Sequence, residues 1–165
     1  MEFTVKTELD MSGFKTLEKA LDVLKSKVAI SGVLNADERT MKEAVLNEKG
    51  GKSTYRDGAF AGEEVDVPSR SFVRAPAQLF AVDNFEKASN VLKKGLTAQN
   101  AQEALALLGH ETARRQRDAL YNNGSGIPGW LQHNEERTIA TKGFDKPLWS
   151  RRNETFPIDF EVVEK

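Results

Sequence analysis

The chain has 165 residues, with 24 Lys and Arg against 25 Asp and Glu and a formal net charge of -1, so no overall field draws it to nucleic acid or an anionic membrane. Its 39% hydrophobic and 30% charged content is too apolar for a disordered tail and too polar for a membrane protein, and its length suffices for one domain with its own core. The absence of cysteine excludes disulfide scaffolds, thiolate metal sites and cysteine nucleophiles, and a reducing compartment is the simplest home.

Met1-Glu2-Phe3-Thr4-Val5-Lys6 has neither the basic start nor the apolar run of a signal peptide. No later stretch approaches the roughly 18 apolar residues of a membrane helix, so neither export nor a membrane is expected. Residues 2 to 9 alternate, with Phe3, Val5 and Thr7 on one face, which predicts a short strand. Asp10 and Ser12 then lead into a helix carrying Phe14, Leu17, Leu21 and Leu24 at helical spacing.

Residues 28 to 34 are a short apolar run, Val-Ala-Ile-Ser-Gly-Val-Leu, that reads as a strand ended by Asn35 and Asp37. From Asp37 a second helix places Met41, Ala44, Val45 and Glu48 on one stripe, and Gly50-Gly51 stops it. Residues 50 to 67 hold four glycines, the turn pair Asp57-Gly58 and the acidic patch Glu63, Glu64 and Asp66, predicting an extended hairpin or loop.

Asp83-Asn84-Phe85-Glu86 has the spacing of a capping box, and Phe85, Ala88, Val91 and Leu92 continue a helix towards Gly95. Thr97 caps the longest predicted helix, around residues 98 to 121, whose face is traced by Ala101, Ala104, Leu105, Leu108, Thr112 and Ala119. Arg114, Arg115 and Arg117 suit the negative end of its dipole. Asn122 to Gly129 is a loop, a mostly irregular stretch follows, and Ile158, Phe160 and Val162 alternate in a closing strand. No internal repeat interrupts the chain. The expectation is a single α+β domain over residues 1 to 165, with two or three helices packed on an antiparallel sheet.

Signals for chemistry are sparse. Gly124-Ser125-Gly126-Ile127-Pro128-Gly129 matches the dinucleotide fingerprint in letters, but it follows a helix and contains proline, so the amide-lined helix start that binds pyrophosphate is missing. Gly50-Gly51-Lys52-Ser53 has Leu46 where a P-loop needs its first glycine. His110 and His133 are the only histidines; neither lies near a nucleophile-elbow sequence or at metal-ligand spacing. No catalytic, cofactor or metal residues are therefore assigned, and an enzyme is not expected; a hydrolase using either histidine ranks lowest.

The helices flanking Gly95-Leu96-Thr97 have the outline of a helix-turn-helix DNA-binding regulator, which is the alternative reading. Between Thr97 and Gly109, however, the only charge is Glu103, whereas DNA binding rests largely on phosphate neutralisation by Lys and Arg. Arg114, Arg115 and Arg117, and more loosely Arg137, Lys142, Lys146, Arg151 and Arg152, read first as solvated faces. Trp130 and Trp149 fall in irregular segments, and Trp149 is the better candidate for a partner contact.

Three further segments carry a resemblance. They are Asn47-Glu48-Lys49-Gly50, Val67-Pro68-Ser69-Arg70-Ser71-Phe72-Val73-Arg74, and Thr138-Ile139-Ala140-Thr141-Lys142-Gly143-Phe144-Asp145-Lys146-Pro147-Leu148. In order and content they resemble the Mu-type virion-morphogenesis and related tail-completion (neck) proteins of tailed bacteriophages, in which an Asn-Glu-x-Gly ends the second helix. An Ile-Pro-Ala/Ser-Arg-Pro-Phe-Leu-Arg stretch and a Thr-Ile-x-x-Lys-Gly-x-x-Lys-Pro-Leu stretch follow there. Here Ser71 stands for the second proline, Trp149-Ser150-Arg151-Arg152 replaces the family's Ile-Asp-Thr-Gly, and the segment between Gly50 and Pro68 is longer.

The resemblance implies a structural virion protein assembled in the host cytoplasm. It would form a ring, hexameric on the family's pattern, at the head-to-tail joint and leave a channel for DNA that passes without sequence readout. Its implied partners are its own copies, portal-side neck proteins, and the tail tube or tail terminator, with no cofactor and no membrane. Candidate subunit-interface residues are Pro68, Arg70, Phe72, Arg74, Lys142, Lys146, Pro147, Trp149 and Arg151. Pro68 restrains the chain, the two arginines offer planar donors, and Phe72 is the expected anchor between them. The 50 to 67 segment and residues 144 to 152 are the expected contact elements.

Overall fold

The computed structural model describes residues 12–56, 59–124, 127–128, 133–134, 136–143, 145–146, 148 and 154–165; the expected strand over residues 2 to 9 lies outside them. In chain order the elements are α1 (Ser12–Ser26), β1 (Lys27–Gly32), α2 (Glu38–Lys49), β2 (Gly51–Thr54) and β3 (Glu64–Val67). They continue with α3 (Arg74–Leu79), α4 (Ala81–Leu92), α5 (Ala98–Tyr121), α6 (Glu136–Lys142) and β4 (Asp159–Glu164).

The α+β class holds, with the antiparallel strands divided between two small sheets. β1 and β4 come from opposite ends of the chain and pair from Lys27 opposite Glu164 to Gly32 opposite Asp159. β2 and β3 form the hairpin expected of residues 50 to 67, from Gly51 opposite Val67 to Thr54 opposite Glu64. The long helix α5 is the hub: α1, α3, α4, β1 and β4 all pack on it. Gly109 explains how closely the β1–β4 sheet approaches, because a Cβ there would stand 2.6 Å from Phe160 Cδ2 and 3.3 Å from Ala29 Cβ.

Local chemistry sets the helix ends. Asp37 Oδ1 accepts from Thr40 N at 2.9 Å to open α2, and Thr97 Oγ1 accepts from Asn100 N at 3.1 Å to open α5. Gly50, at φ 77°, closes α2 by donating its N–H to Leu46 O at 2.7 Å. A side chain at Gly50 would be strained by that φ and would also meet Ser69 N at 2.9 Å.

Three expectations need correction. The capping box at Asp83 is not used: α4 begins at Ala81 after Phe80, which makes no side-chain cap. α3 runs almost directly into it, with Phe80 N bonded to Pro76 O at 3.1 Å and Asn84 N to Phe80 O at 3.0 Å, so the backbone is already turning before Asp83. Second, the stretch around Glu136, expected to be irregular, contains the short helix α6, and the short helix α3 lies in a segment for which no element was expected. Pro76 fits within the first turn of α3, where its missing N–H has no helical partner to lose. Third, the last turn of α5 has no basic residue. Arg114 instead pairs with Glu111 and Asp118, Arg115 lies 4.2 Å over the Phe80 ring, and Arg117 Nη1 donates to Ile158 O at 3.3 Å.

The main core joins Val33, Phe72, Leu120, Leu148 and Ile158 with alanines of α2 and α5, and the Phe72 ring stacks on Phe156 at 5.1 Å. A second cluster of Ala88, Val91 and Ala104 seals α4 to α5. Among the described residues, seven of the thirteen buried hydrophobic ones are alanine, while ten large apolar side chains are exposed. The described part of the chain therefore leaves much bulky apolar surface uncovered.

Candidate functional site

The first two motif segments are bonded directly to each other, and the third is reached from them through His133. Glu48 lies in the last turn of α2, and its carboxylate accepts from Ser71 Oγ at 2.6 Å, Val73 N at 3.0 Å and Arg74 N at 3.1 Å. α3 has no cap of its own at Val73. A carboxylate from α2 thus satisfies the amides that α3 leaves open and sits at the positive end of its peptide dipoles. Ser71, which stands where the family pattern has proline, also accepts from Ala75 N at 3.0 Å, so its hydroxyl bridges Glu48 and the α3 backbone. Ser69 Oγ donates to Glu48 O at 2.8 Å and Arg70 N to Asn47 O at 2.7 Å, completing the weld between the first two segments.

The third segment joins through Arg70 and the hairpin. Arg70 Nη2 donates to His133 O at 3.2 Å. Asp145 accepts from Asn134 N at 2.7 Å and meets His133 Nδ1 at 2.6 Å, and these contacts, the Asn134 amide first, hold its carboxyl below the usual range. The Tyr55 hydroxyl lies 3.2 Å from Thr138 Oγ1, and Arg137 Nη1 donates to Glu63 Oε2 at 2.8 Å, which ties α6 to the hairpin. Burial, then the nearby Arg70 cation, push Lys142 down to about 8, with Asp145 acting in the opposite direction. An open cleft of about 800 Å³ runs between α2, the hairpin and α6, with Asn47, Tyr55, Arg70, Thr138 and Lys142 among its lining residues.

The expected interface residues separate by burial. Phe72, at 0% exposure, and Arg70, at 5%, lie inside the chain instead of facing a partner. Phe72 packs into the core on Phe156, and Arg70 ties the motif junction together. Pro68 and Lys142 are half-buried, whereas Arg74 and Lys146 are exposed. Pro147, Trp149 and Arg151 lie outside the described residues, as does Trp130.

His110 meets the Phe160 ring edge-on at 5.8 Å, and His133 serves the Asp145 junction. Among the described residues no three His, Asp or Glu side chains gather in a group able to hold a metal ion. No helix among them is long and apolar enough to cross a membrane. The first half of α5, which a helix-turn-helix would present to DNA, packs on α4 with Ala101 and Ala104 buried.

Two polar positions escaped the sequence reading. Glu111 on α5 accepts from Lys87 Nζ at 2.6 Å and Arg114 Nη2 at 3.1 Å, and these bonds, Lys87 first, hold its carboxyl at about 2. Gln116, 1% exposed, donates to Val73 O at 3.0 Å and so links α5 to the entrance of α3. A polar residue interrupting the apolar face of a long helix was the available signal for both. Compared with known proteins, the chain matches no family model, no curated protein and no solved structure.

Proposed function

We propose that this chain is a non-enzymatic structural subunit of a tailed phage, a tail-completion or neck protein whose copies form a ring at the head-to-tail joint around a channel for DNA. The observation that carries this reading is the direct bonding of the first two family-like segments through Glu48 and Arg70, with Asp145 of the third reached from Arg70 by way of His133. Short stretches matched by chance have no reason to share one junction, whereas residues that define a common fold do. Their bonds are to backbone groups and to one another, which is the pattern of a scaffold.

In a ring, one patch on each copy meets a different patch on the next, so projecting elements are the natural contacts. The β2–β3 hairpin suits this role, with Lys52, Glu64 and Asp66 on its exposed strands. Exposed Arg74 and Lys146 add charge near the junction. Deleting the gene from a phage that carries it is expected to leave DNA-filled heads and finished tails unjoined in electron micrographs. Normal infectious particles from the deletion refute the proposal.

A further inference from the structure

α4 carries one buried stripe and a second that is exposed over its first half, where its far end, Leu92, packs partly against the α4–α5 cluster. Asn84, Ala88 and Val91 face α5 and are buried. Val82, Phe85, Ser89 and Leu92 recur at spacings of three, four and three residues, the periodicity of a helix-pairing seam. Val82 is 79% exposed and Phe85 65%, while Ser89 and Leu92 are half-buried. Exposed Leu79 and Leu96 extend the apolar character just before and just after the helix.

The charges beside this seam are ordered along it. Glu86 flanks its first half and Lys93 its far end, both exposed. The Glu86 carboxylate has no ion-pair partner among the described residues, and the Lys93 ammonium bonds only the neutral Asn90 Oδ1 there, at 3.0 Å. Lys87, the cation within α4, is committed to Glu111. An antiparallel copy of the helix reverses this order. With a two-fold axis near Ser89, Glu86 of one copy faces Lys93 of the other, and Phe85 faces Leu92. The small Ser89 side chains at the crossing let the two backbones approach.

We infer that the exposed face of α4 is a self-complementary docking surface for a second copy of this chain, paired antiparallel about Ser89. Such a contact closes on two copies. It is therefore distinct from the head-to-tail contacts of a ring, and it joins free subunits or two rings. One helix pair is smaller than the roughly 1,200 Å² of a standard interface, and its exposed charge pairs make the association sensitive to salt.

The test uses the full chain, which contains no native cysteine. Ser89→Cys is expected to form a disulfide-linked dimer under mild oxidation, and Lys19→Cys on exposed α1 is the control that does not. By sedimentation, Phe85→Asp removes the dimer without changing the circular dichroism spectrum. Glu86→Lys weakens dimerisation at least tenfold, and adding Lys93→Glu restores it. Equal cross-linking of the two cysteine variants, or a charge reversal without effect or rescue, overturns the inference. Rings that form unchanged with Phe85→Asp and without any cross-link at position 89 overturn it while leaving the proposed function intact. A chain that stays monomeric at all concentrations contradicts both.

Discussion

Replacing Glu48 by alanine probes the weld that gathers the motif segments. The substitution removes three contacts, from Ser71 Oγ, Val73 N and Arg74 N, and leaves the first turn of α3 with Ser71 as its side-chain acceptor. Hydrogen bonds to a charged group contribute about 1.5–3 kcal/mol each, but Glu48 is half-buried and water replaces part of the loss. A lost helix cap alone costs about 1 kcal/mol and up to about 2. Together these place the destabilisation at about 2–3 kcal/mol, or a fall in Tm of about 4–12 °C for a chain of this size. Glu48→Gln keeps one acceptor oxygen and loses about half as much. Urea and thermal unfolding followed by circular dichroism measure both. A loss below about 0.5 kcal/mol for Glu48→Ala refutes the view that this carboxylate organises the junction.

Glu111, held at about 2 against an ordinary 4.5, stabilises the fold fully above pH 4.5 and ceases to as the pH falls towards 2, because in that window the unfolded chain binds a proton that the folded chain resists. The contribution is at most about 3 kcal/mol and is reduced by solvent around Lys87 and Arg114. Acid titration of stability is accordingly expected to be flatter for Glu111→Gln than for the native chain. Lys142 works in the opposite sense: with its pKa lowered from 10.5 to about 8, the folded chain holds the proton less readily, and stability rises as the pH climbs from about 8 to 10.5. Lys142→Met should equal or exceed the native stability at pH 7 and lack that rise; a loss above about 1 kcal/mol there contradicts the assignment. Phe72→Ala empties a fully buried site against Phe156 and is expected to cost about 3–5 kcal/mol in urea unfolding. A cost under about 1 kcal/mol returns Phe72 to the surface.

Elements with complete local signals were legible in the sequence. Thr97 and the small-residue face mark α5, Asp37 and Gly50 bracket α2, and the glycine-rich stretch from Gly50 marks the hairpin, whose expected turn at Asp57-Gly58 lies outside the described residues. α3 and α6 span only six and seven residues, too few to display a full amphipathic period, and the cap of α3 comes from α2, far away in sequence. Burial was harder to read than secondary structure. Phe72 lies among polar and charged neighbours yet fills the core, whereas Phe85 belongs to a helical apolar pattern yet stands outside. The sequence lists the apolar residues of a helix but does not say which stripe its neighbours cover, and on α4 that choice falls to Asn84, Ala88 and Val91. Glu48 was visible as a motif letter; its role depends on three partners more than twenty residues away.

The central claim, that this chain acts by assembly at the phage neck, is tested most directly by immunogold electron microscopy of purified mature virions with an antibody against the chain. Gold is expected at the junction between head and tail, with several copies per particle in a quantitative mass-spectrometric inventory of the same virions. Particles that lack the polypeptide and carry no gold contradict the account.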